Sequence, residues 1–158
     1  MQIDKEAVFN AIRERIEDQL NGLIQMTAMS RDEATGGESK AENKYDTRAL
    51  EASYLAAGQG QRLAELRKSA AWYQSFDPLR SFERASVGAL LGLEGDTGAR
   101  WIFLAPSGGV RVHVNDVRID VVSPQSPVGR AVIGHQRDDE VTLHTPNGAE
   151  SLEIVYLR

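Results

Sequence analysis

The sequence predicts an α+β protein, in which an N-terminal antiparallel helical hairpin is followed by an antiparallel sheet with one short helix. Three observations predict this fold class. Apolar residues recur every three or four positions in the first half of the chain, and they alternate with polar residues in parts of the second half. Phe76-Asp77-Pro78 separates the two patterns, because proline ends a helix. We therefore expect a coiled-coil hairpin over residues 1–76 and a second domain over residues 77–158.

The first predicted helix runs from Asp4 to about Ser30, where apolar residues fall at steps of three and four. These residues are Val8, Ile12, Ile16, Leu20, Leu23 and Thr27. Asp4 stands at the N-cap position, since its carboxylate can accept hydrogen bonds from backbone N–H groups of the first turn. Paired glycines and polar residues then predict a turn over residues 30–40.

The second predicted helix begins near Lys40 or Tyr45 and ends near Tyr73, with the same spacing of apolar residues. Two long amphipathic helices joined by a short polar turn are expected to pack as an antiparallel hairpin. Gly58 and Gly60 interrupt this pattern, because each costs about 1 kcal/mol relative to alanine inside a helix. They either allow the helices to approach closely or mark a local break.

Five segments of the second half have strand composition, several with alternating apolar and polar residues. They cover residues 101–104, 110–114, 117–122, 140–143 and 152–156. Turns are predicted between them at residues 107–109, 114–116 and 146–148, and the first is interpreted as a hairpin turn. The stretch from Ser126 to Gly134 suits one short helix on the sheet, which completes the α+β pattern.

Composition excludes several classes of function. The 158 residues contain no cysteine, so disulfide scaffolds, thiolate zinc sites and cysteine nucleophiles are all excluded. The three histidines leave little for a histidine-rich metal site. A formal charge of −5 argues against a general polyanion binder, although local basic stripes stay possible. We see no signal peptide and no apolar run long enough to span a membrane, so we expect a cytoplasmic protein.

One motif is specific enough to indicate a family. The stretch from Val121 to Gly134 contains a Ser-Pro-x-Ser-Pro-x-Gly-x-Ala core and is followed by Asp138-Asp139-Glu140-Val141. This segment resembles the C-terminal domain of the bacterial Gre transcript-cleavage factors, a domain shared with the nucleoside diphosphate kinase regulator Rnk. The family joins an N-terminal antiparallel coiled coil to an FKBP-like C-terminal domain. The resemblance therefore implies that residues 77–158 are FKBP-like.

The resemblance also implies a partner and a set of contact residues. Gre factors insert their hairpin into the secondary channel of RNA polymerase and help the polymerase to cleave backtracked RNA. The residues of the motif that we expect to bind polymerase are Ser123, Pro124, Ser126, Pro127, Gly129 and Arg130. The alternative is that this motif only maintains the fold. We expect a monomer that meets the nascent RNA 3′ end through the polymerase and has no complete active site of its own.

The acidic tip of the hairpin is expected near residues 31–46. The family tip reads Gly-Asp-Leu-x-Glu-Asn-Ala-Glu-Tyr, and an ungapped overlay on residues 37–45 places Glu38 at the aspartate position. Ala41 then occupies the position of the essential glutamate, and Glu42 follows one residue later. This departure points to a divergent Gre-like paralogue and leaves a second reading open, a regulator that occupies the channel without cleavage.

Three tip carboxylates could share a metal ion. If the second helix begins near Glu38, then Glu38, Glu42 and Asp46 fall at i, i+4 and i+8 on one face. They could hold a Mg²⁺ shared with the polymerase active site, in a two-metal hydrolysis; no cofactor is expected to bind stably to the factor alone. The alternative is that these carboxylates are simply solvated and paired with Lys40 and Lys44.

A third reading comes from the FKBP-like domain. True prolyl isomerases of that fold have an aromatic-lined pocket, for which Trp101, Phe103 and Tyr156 are the candidates here. Since they alternate along predicted strands, core packing is the better explanation for them. A folding helper with an FKBP-like domain and a helical substrate clamp is nevertheless the alternative from a different functional class. No nucleophile, metal-protease or phosphate-loop motif is found.

Overall fold

The computed structural model describes residues 2–35 and 47–158. Two long helices precede six strands and a short helix. The elements are α1 Lys5–Thr35, α2 Thr47–Ser75, β1 Leu90–Gly95, β2 Gly98–Leu104, β3 Arg111–Val114, β4 Val117–Val122, α3 Pro127–Val132, β5 Glu140–Thr145 and β6 Gly148–Leu157. The α+β class is confirmed. The chain divides into two compact units, one of Met1–Arg15 with Tyr73–Arg158 and the other of Ile16–Trp72.

Helix α1 begins where the sequence predicts, and it extends past Ser30 to Thr35. The Asp4 carboxylate accepts a hydrogen bond from the Glu6 backbone N–H at 3.1 Å, which satisfies one of the donors that a helix start leaves unpaired. The predicted apolar positions Val8 and Ile12 are fully buried. The first turns of α1 are therefore held by packing as well as by the cap.

In the first unit, the start of α1 lies beside the end of α2. The ring centroids of Phe9 and Tyr73 are 5.3 Å apart, as in an antiparallel pair of helices. Both rings also pack against Phe103 of β2. Its ring centroid lies 6.2 Å from that of Phe9 and 6.4 Å from that of Tyr73. This aromatic cluster packs the helix ends onto one face of the sheet, and burying three such rings contributes several kcal/mol.

The second unit contains the two predicted glycines. Helix α2 is continuous through Gly58 and Gly60, so the interpretation as a local break is wrong. A Cβ added at either glycine would meet no atom of the described residues within 4 Å, so neither glycine is needed for close approach to that part of the chain. The helix tolerates both residues because its remaining sequence is rich in alanine and leucine, which favour helix.

The six strands form one sheet in the order β3-β4-β2-β1-β6-β5. All pairs are antiparallel except β2 with β4, which run parallel. The prediction of a hairpin turn at residues 107–109 is therefore wrong, because β2 and β3 do not pair. Instead the chain crosses the end of β4, where a Cβ on Gly108 would lie 2.9 Å from the Val121 carbonyl oxygen.

Strand β1 was not predicted from the sequence, although it lies between β2 and β6 in the centre of the sheet. Residues Leu90 to Leu93 are all buried, so both faces of the strand are covered. A strand buried on both faces shows no alternation of apolar and polar residues. Leucine and glycine also lack the β-branched shape that usually marks strands.

The main core lies between the sheet and α3. It joins Leu91 and Leu93 of β1 to apolar residues from the neighbouring strands, and Val132 of α3 is fully buried against it. Further members of the cluster are Ala85, Ala89, Ile102, Leu104, Val141, Leu143, Leu152 and Ile154. The predicted short helix thus covers part of one face of the sheet, next to the Ser-Pro segment that precedes it.

A buried lysine is the main surprise of the fold. Lys5 is 2% exposed, and its ammonium donates a hydrogen bond to the Arg80 carbonyl oxygen. The same ammonium lies 4.9 Å from the Phe82 ring centroid and 5.9 Å from that of Phe76. Burial, together with the charge of Arg158, lowers the pKa of Lys5 to about 8. The cation is therefore held by one carbonyl and two aromatic faces.

Candidate functional site

The candidate site is the segment from Ser123 to Gly134, which follows β4 and contains α3. Ser126 caps α3, since its hydroxyl accepts a hydrogen bond from the Gly129 backbone N–H at 3.1 Å. The same hydroxyl donates to the Ser123 carbonyl oxygen at 2.7 Å. Pro127 occupies the first turn, where its fixed φ and missing N–H cost nothing. These contacts fix the direction in which α3 leaves the sheet.

Gly129 has to be glycine because the backbone passes directly over it. A Cβ at this position would lie 2.0 Å from the Ser123 carbonyl oxygen and 2.9 Å from the Ser126 hydroxyl oxygen. No real Cβ approaches a backbone oxygen so closely, so the chain would have to move. The glycine of the motif is therefore a packing requirement of the turn.

The remaining predicted contact residues reach the surface. Pro124 is half-buried, whereas Pro127 and Arg130 are exposed. Pro127 and Arg130 line a shallow groove of about 420 Å³ between α3 and β5, together with Ala131, Thr142 and His144. The structure thus brings Ser123, Ser126 and Gly129 together as a hydrogen-bonded turn. It leaves Pro127 and Arg130 on an accessible rim, where an arginine can reach a partner.

The second half of the motif is also structural. The Asp139 carboxylate accepts a hydrogen bond from the Gln136 backbone N–H at 2.7 Å and lies 3.4 Å from His135 Nδ1. The backbone hydrogen bond, helped by His135, holds the pKa of Asp139 below its usual value. Asp138 has a φ of 69° and its N–H donates to the Ile154 carbonyl at 2.7 Å. The acidic pair therefore shapes the turn into β5.

Two groups of salt bridges on the sheet were missed by sequence reasoning, one between β3 and β4 and one between β2 and β6. The Asp120 carboxylate accepts from Arg111 Nε at 2.7 Å and from Arg118 Nη2 at 2.9 Å. The Glu150 carboxylate accepts from Arg100 Nη2 at 2.8 Å. The alternation Arg118-x-Asp120 was the available signal, because residues two apart on a strand share a face.

The predicted tip carboxylates Glu38, Glu42 and Asp46 lie outside the described residues, as does Ala41. Within residues 2–35 and 47–158, the structure holds no group of three or more metal-ligating side chains that could bind an ion. The shared Mg²⁺ therefore stays a prediction that concerns the tip alone. In the same described ranges, no helix is long and apolar enough to cross a membrane.

The three aromatic residues considered for an isomerase pocket pack against other rings. Phe103 is fully buried against Phe9 and Tyr73. Trp101 and Tyr156 are half-buried, and their ring centroids lie 5.1 Å apart. A Cβ on Gly92 would lie 3.1 Å from Tyr156 Cβ, so this glycine makes room for the ring pair. The three residues thus serve the packing of the sheet.

Comparison with known proteins agrees with the motif. Residues 110–158 match the family described as transcription elongation factor, GreA/GreB, C-term. The transcription elongation factor GreA of Syntrophotalea carbinolica is 48% identical over 40 residues, which cover 25% of each chain. GreB of Yersinia pestis is 54% identical over 37 residues, covering 23% of this chain and 22% of that protein. The match thus spans about a quarter of the length of these curated relatives.

Among solved structures, the GreA factor homolog 1 (Gfh1) of Thermus thermophilus aligns over 92% of this chain and 94% of its own, with 18% identity and a TM-score of 0.38. The matched residues contain β3, β4, α3, β5 and β6, and so include the whole candidate site. The resemblance to the Gre family that the Ser-Pro motif predicted is confirmed, and the family match covers residues 110–158.

Proposed function

We propose that this protein is an RNA polymerase-binding transcription elongation factor of Gre type. The observation that carries the proposal is the match of residues 110–158 to the GreA/GreB C-terminal family. The relatives that share this segment are transcription elongation factors by name. A protein of this kind works in the cytoplasm as a monomer and meets the nascent RNA 3′ end only through the polymerase.

The geometry of the Ser123–Gly134 segment supports a docking role for its outer rim. Ser126 and Gly129 hold the turn rigid, so Pro127 and Arg130 are presented in a fixed arrangement. A rigid rim lowers the entropy cost of binding, and an exposed guanidinium can pair with a carboxylate of the partner. We assign Ser123, Pro124, Ser126 and Gly129 to support and the rim to direct contact.

In this proposal the hairpin enters the secondary channel and assists cleavage of backtracked RNA. Glu38, Glu42 and Asp46 would contribute ligands to a Mg²⁺ shared with the polymerase, because carboxylate oxygens are its preferred protein ligands. The polymerase supplies the remaining ligands and the reaction, so the factor is not itself an enzyme. The chain's own residues only place and orient the ion.

A second function is favoured by one observation. Ala41 stands where the family tip carries its essential glutamate. A tip that lacks this carboxylate could occupy the channel without supporting cleavage, and the protein would then regulate access to the polymerase active site.

One experiment separates these functions. RNA labelled at its 3′ end is followed in a stalled, backtracked bacterial elongation complex with Mg²⁺, while binding of the protein to the polymerase is measured in parallel. The cleavage factor should raise the cleavage rate above that of polymerase alone. Glu38→Ala with Asp46→Ala should abolish that gain and leave binding nearly intact, because it removes ligands and not the docking rim.

The matched control is Glu14→Ala with Asp18→Ala, which removes the same charges from exposed positions of α1. This control should cleave like the unmodified protein, whereas Arg130→Ala should weaken binding. Binding without cleavage would establish the channel-occupying regulator. Absence of binding would overturn both functions, and isomerase or holdase activity would then favour the folding helper.

A further inference from the structure

Four basic residues share one exposed face at the β3 edge of the sheet. They are Arg100 on β2, Arg111 and His113 on β3, and Arg118 on β4, here called the arginine row. His113 pairs with Arg118 across the strands, and Arg111 pairs with Asp120. Arg100 precedes the first β2–β4 pair by one residue, as Arg118 does on β4, so the two lie side by side. Adjacent strands are about 4.8 Å apart, so the row spans about 10 Å.

Two carboxylates hold these side chains in place without covering them. Asp120 accepts from both Arg111 and Arg118, whose side chains are still 55% and 54% exposed. Glu150 accepts from Arg100. Partial burial would raise the pKa of Asp120, but the hydrogen bonds from Arg118 and Arg111 outweigh burial and keep the pKa below its usual value. The acid therefore stays ionised and keeps both guanidinium groups oriented.

The pairing leaves an excess of positive charge and of hydrogen-bond donors. Three guanidinium groups face two carboxylates, so the cluster carries a net charge of about +1 within a chain of −5. Each guanidinium has five N–H donors, and Arg118 uses only Nε and Nη2 toward Asp120. Arginine side chains that are already oriented lose less entropy when they bind an anion.

The row borders a shallow depression of about 300 Å³. It is lined by Ala99, Arg100, Trp101, Arg118 and Asp120. Arg111 and Arg118 are more than half exposed beside this depression, so the row presents its guanidinium groups on an open surface. Such a surface suits an extended, single-stranded nucleic acid, whose phosphates can follow a line of cationic groups.

We propose that the arginine row binds the phosphates of single-stranded RNA. RNA is preferred to DNA because Asp120 lies between Arg111 and Arg118 and Glu150 borders Arg100, and a carboxylate repels phosphate but accepts a hydrogen bond from a ribose 2′-hydroxyl. The interaction is weak, as expected for sequence-independent binding through few charges. The proposal does not depend on polymerase binding, since it concerns the other edge of the sheet from the groove lined by Pro127 and Arg130.

Fluorescence anisotropy with a 5′-labelled twelve-nucleotide oligouridylate tests the proposal on the full chain. Three phosphate contacts predict that the logarithm of the association constant falls with the logarithm of salt concentration at a slope of about −2, at about 0.7 per contact. Arg111→Gln with Arg118→Gln should weaken binding at least fivefold at low salt and reduce the slope to about −0.7. A thymidine oligonucleotide of the same length should bind more weakly than the RNA.

The matched control is Arg137→Gln, which removes one exposed arginine from the loop before β5, the opposite edge strand. It should bind the RNA like the unmodified chain. Equal affinity of the double variant and the unmodified chain would overturn the site, and equal affinity for the thymidine oligonucleotide would overturn the assignment to RNA.

A second measurement covers the case in which the double variant does not fold. On titration of the unmodified, ¹⁵N-labelled chain with the same RNA, amide NMR signals of residues 111–120 and of Arg100 should shift. Shifts confined to the helices or to the loop before β5 would overturn the proposal.

Discussion

At the scale of single residues, the Ser-Pro segment contains residues that hold the turn and residues that line an accessible groove. The Ser126 hydroxyl accepts one hydrogen bond and donates another inside the turn, and Gly129 leaves room for the Ser123 carbonyl. Gly129 cannot gain a side chain without moving the backbone. Pro127 and Arg130 meet no such restriction, since their side chains face the groove. Of the two alternatives that sequence alone left open, fold maintenance is seen at Ser126 and Gly129, and the proposed partner contact concerns Pro127 and Arg130.

Gly129→Ala should destabilise the protein by about 1–3 kcal/mol or more, because the new Cβ would meet backbone atoms that cannot rotate away. Thermal or urea unfolding followed by circular dichroism measures the change. The matched control is Gly22→Ala in α1, where a Cβ meets nothing within 4 Å and alanine favours helix. Equal stability of the Gly129→Ala variant and the unmodified protein would contradict the close approach at the turn.

Residues whose partners are local were predictable, and residues whose partners are distant were not. Asp4 was expected to cap α1 because the backbone N–H groups that donate to its carboxylate lie within one turn. The burial of Lys5 was not, since its hydrogen-bond partner Arg80 lies 75 positions away along the chain. Likewise, the pairing of Arg111 with Asp120 needs the β3–β4 register, which composition does not give.

At the scale of elements, periodicity predicted what is amphipathic and missed what is not. Helices α1 and α2 were predicted because each has one apolar face. Strand β1 was missed because it is buried on both faces, and its Leu-Leu-Gly-Leu run could equally belong to a buried helix. The parallel pairing of β2 with β4 was missed because Ser107-Gly108-Gly109 has the composition of a hairpin turn.

Replacing both glycines of α2 should stabilise that helix. Gly58→Ala with Gly60→Ala removes backbone entropy from the unfolded chain without a clash, so we expect a gain of about 1–2 kcal/mol. Thermal unfolding monitored at 222 nm should show the gain as a higher midpoint. Ala64→Gly, at an exposed position of the same helix, is the reverse control and should lower the midpoint. A lower midpoint for the double alanine variant would show that the glycines serve a packing role.

At the scale of the whole molecule, the first compact unit is assembled from both ends of the chain. Met1–Arg15 joins Tyr73–Arg158, and Lys5 is one of the residues that connect them. Its ammonium bonds the Arg80 carbonyl and faces the rings of Phe76 and Phe82. The contact couples the start of α1 to the segment between α2 and the sheet. Because the contact contains a buried titratable group, the stability of this unit depends on pH.

Burial, with a contribution from Arg158, lowers the pKa of Lys5 from 10.5 to about 8. Between these values the unfolded chain binds a proton that the folded chain does not, so the free energy of unfolding increases as the pH rises. We expect an increase of about 2 kcal/mol between pH 8 and 10, at about 1.36 kcal/mol per pKa unit. Burial raises the pKa of Tyr73, which has the opposite effect and becomes important above about pH 10.

Urea unfolding of the unmodified protein and of Lys5→Met at pH 7 to 10 tests this coupling. Methionine fills a similar volume without a charge, so the rise in stability between pH 8 and 10 should disappear in this variant. Lys68→Met replaces an exposed lysine of α2 and should retain the rise. Tyr73 is present in all three proteins, so the difference between the two methionine variants isolates Lys5. The same rise in Lys5→Met as in the unmodified protein would show that another group causes it, and that the Lys5 ammonium does not control the pH dependence of this unit.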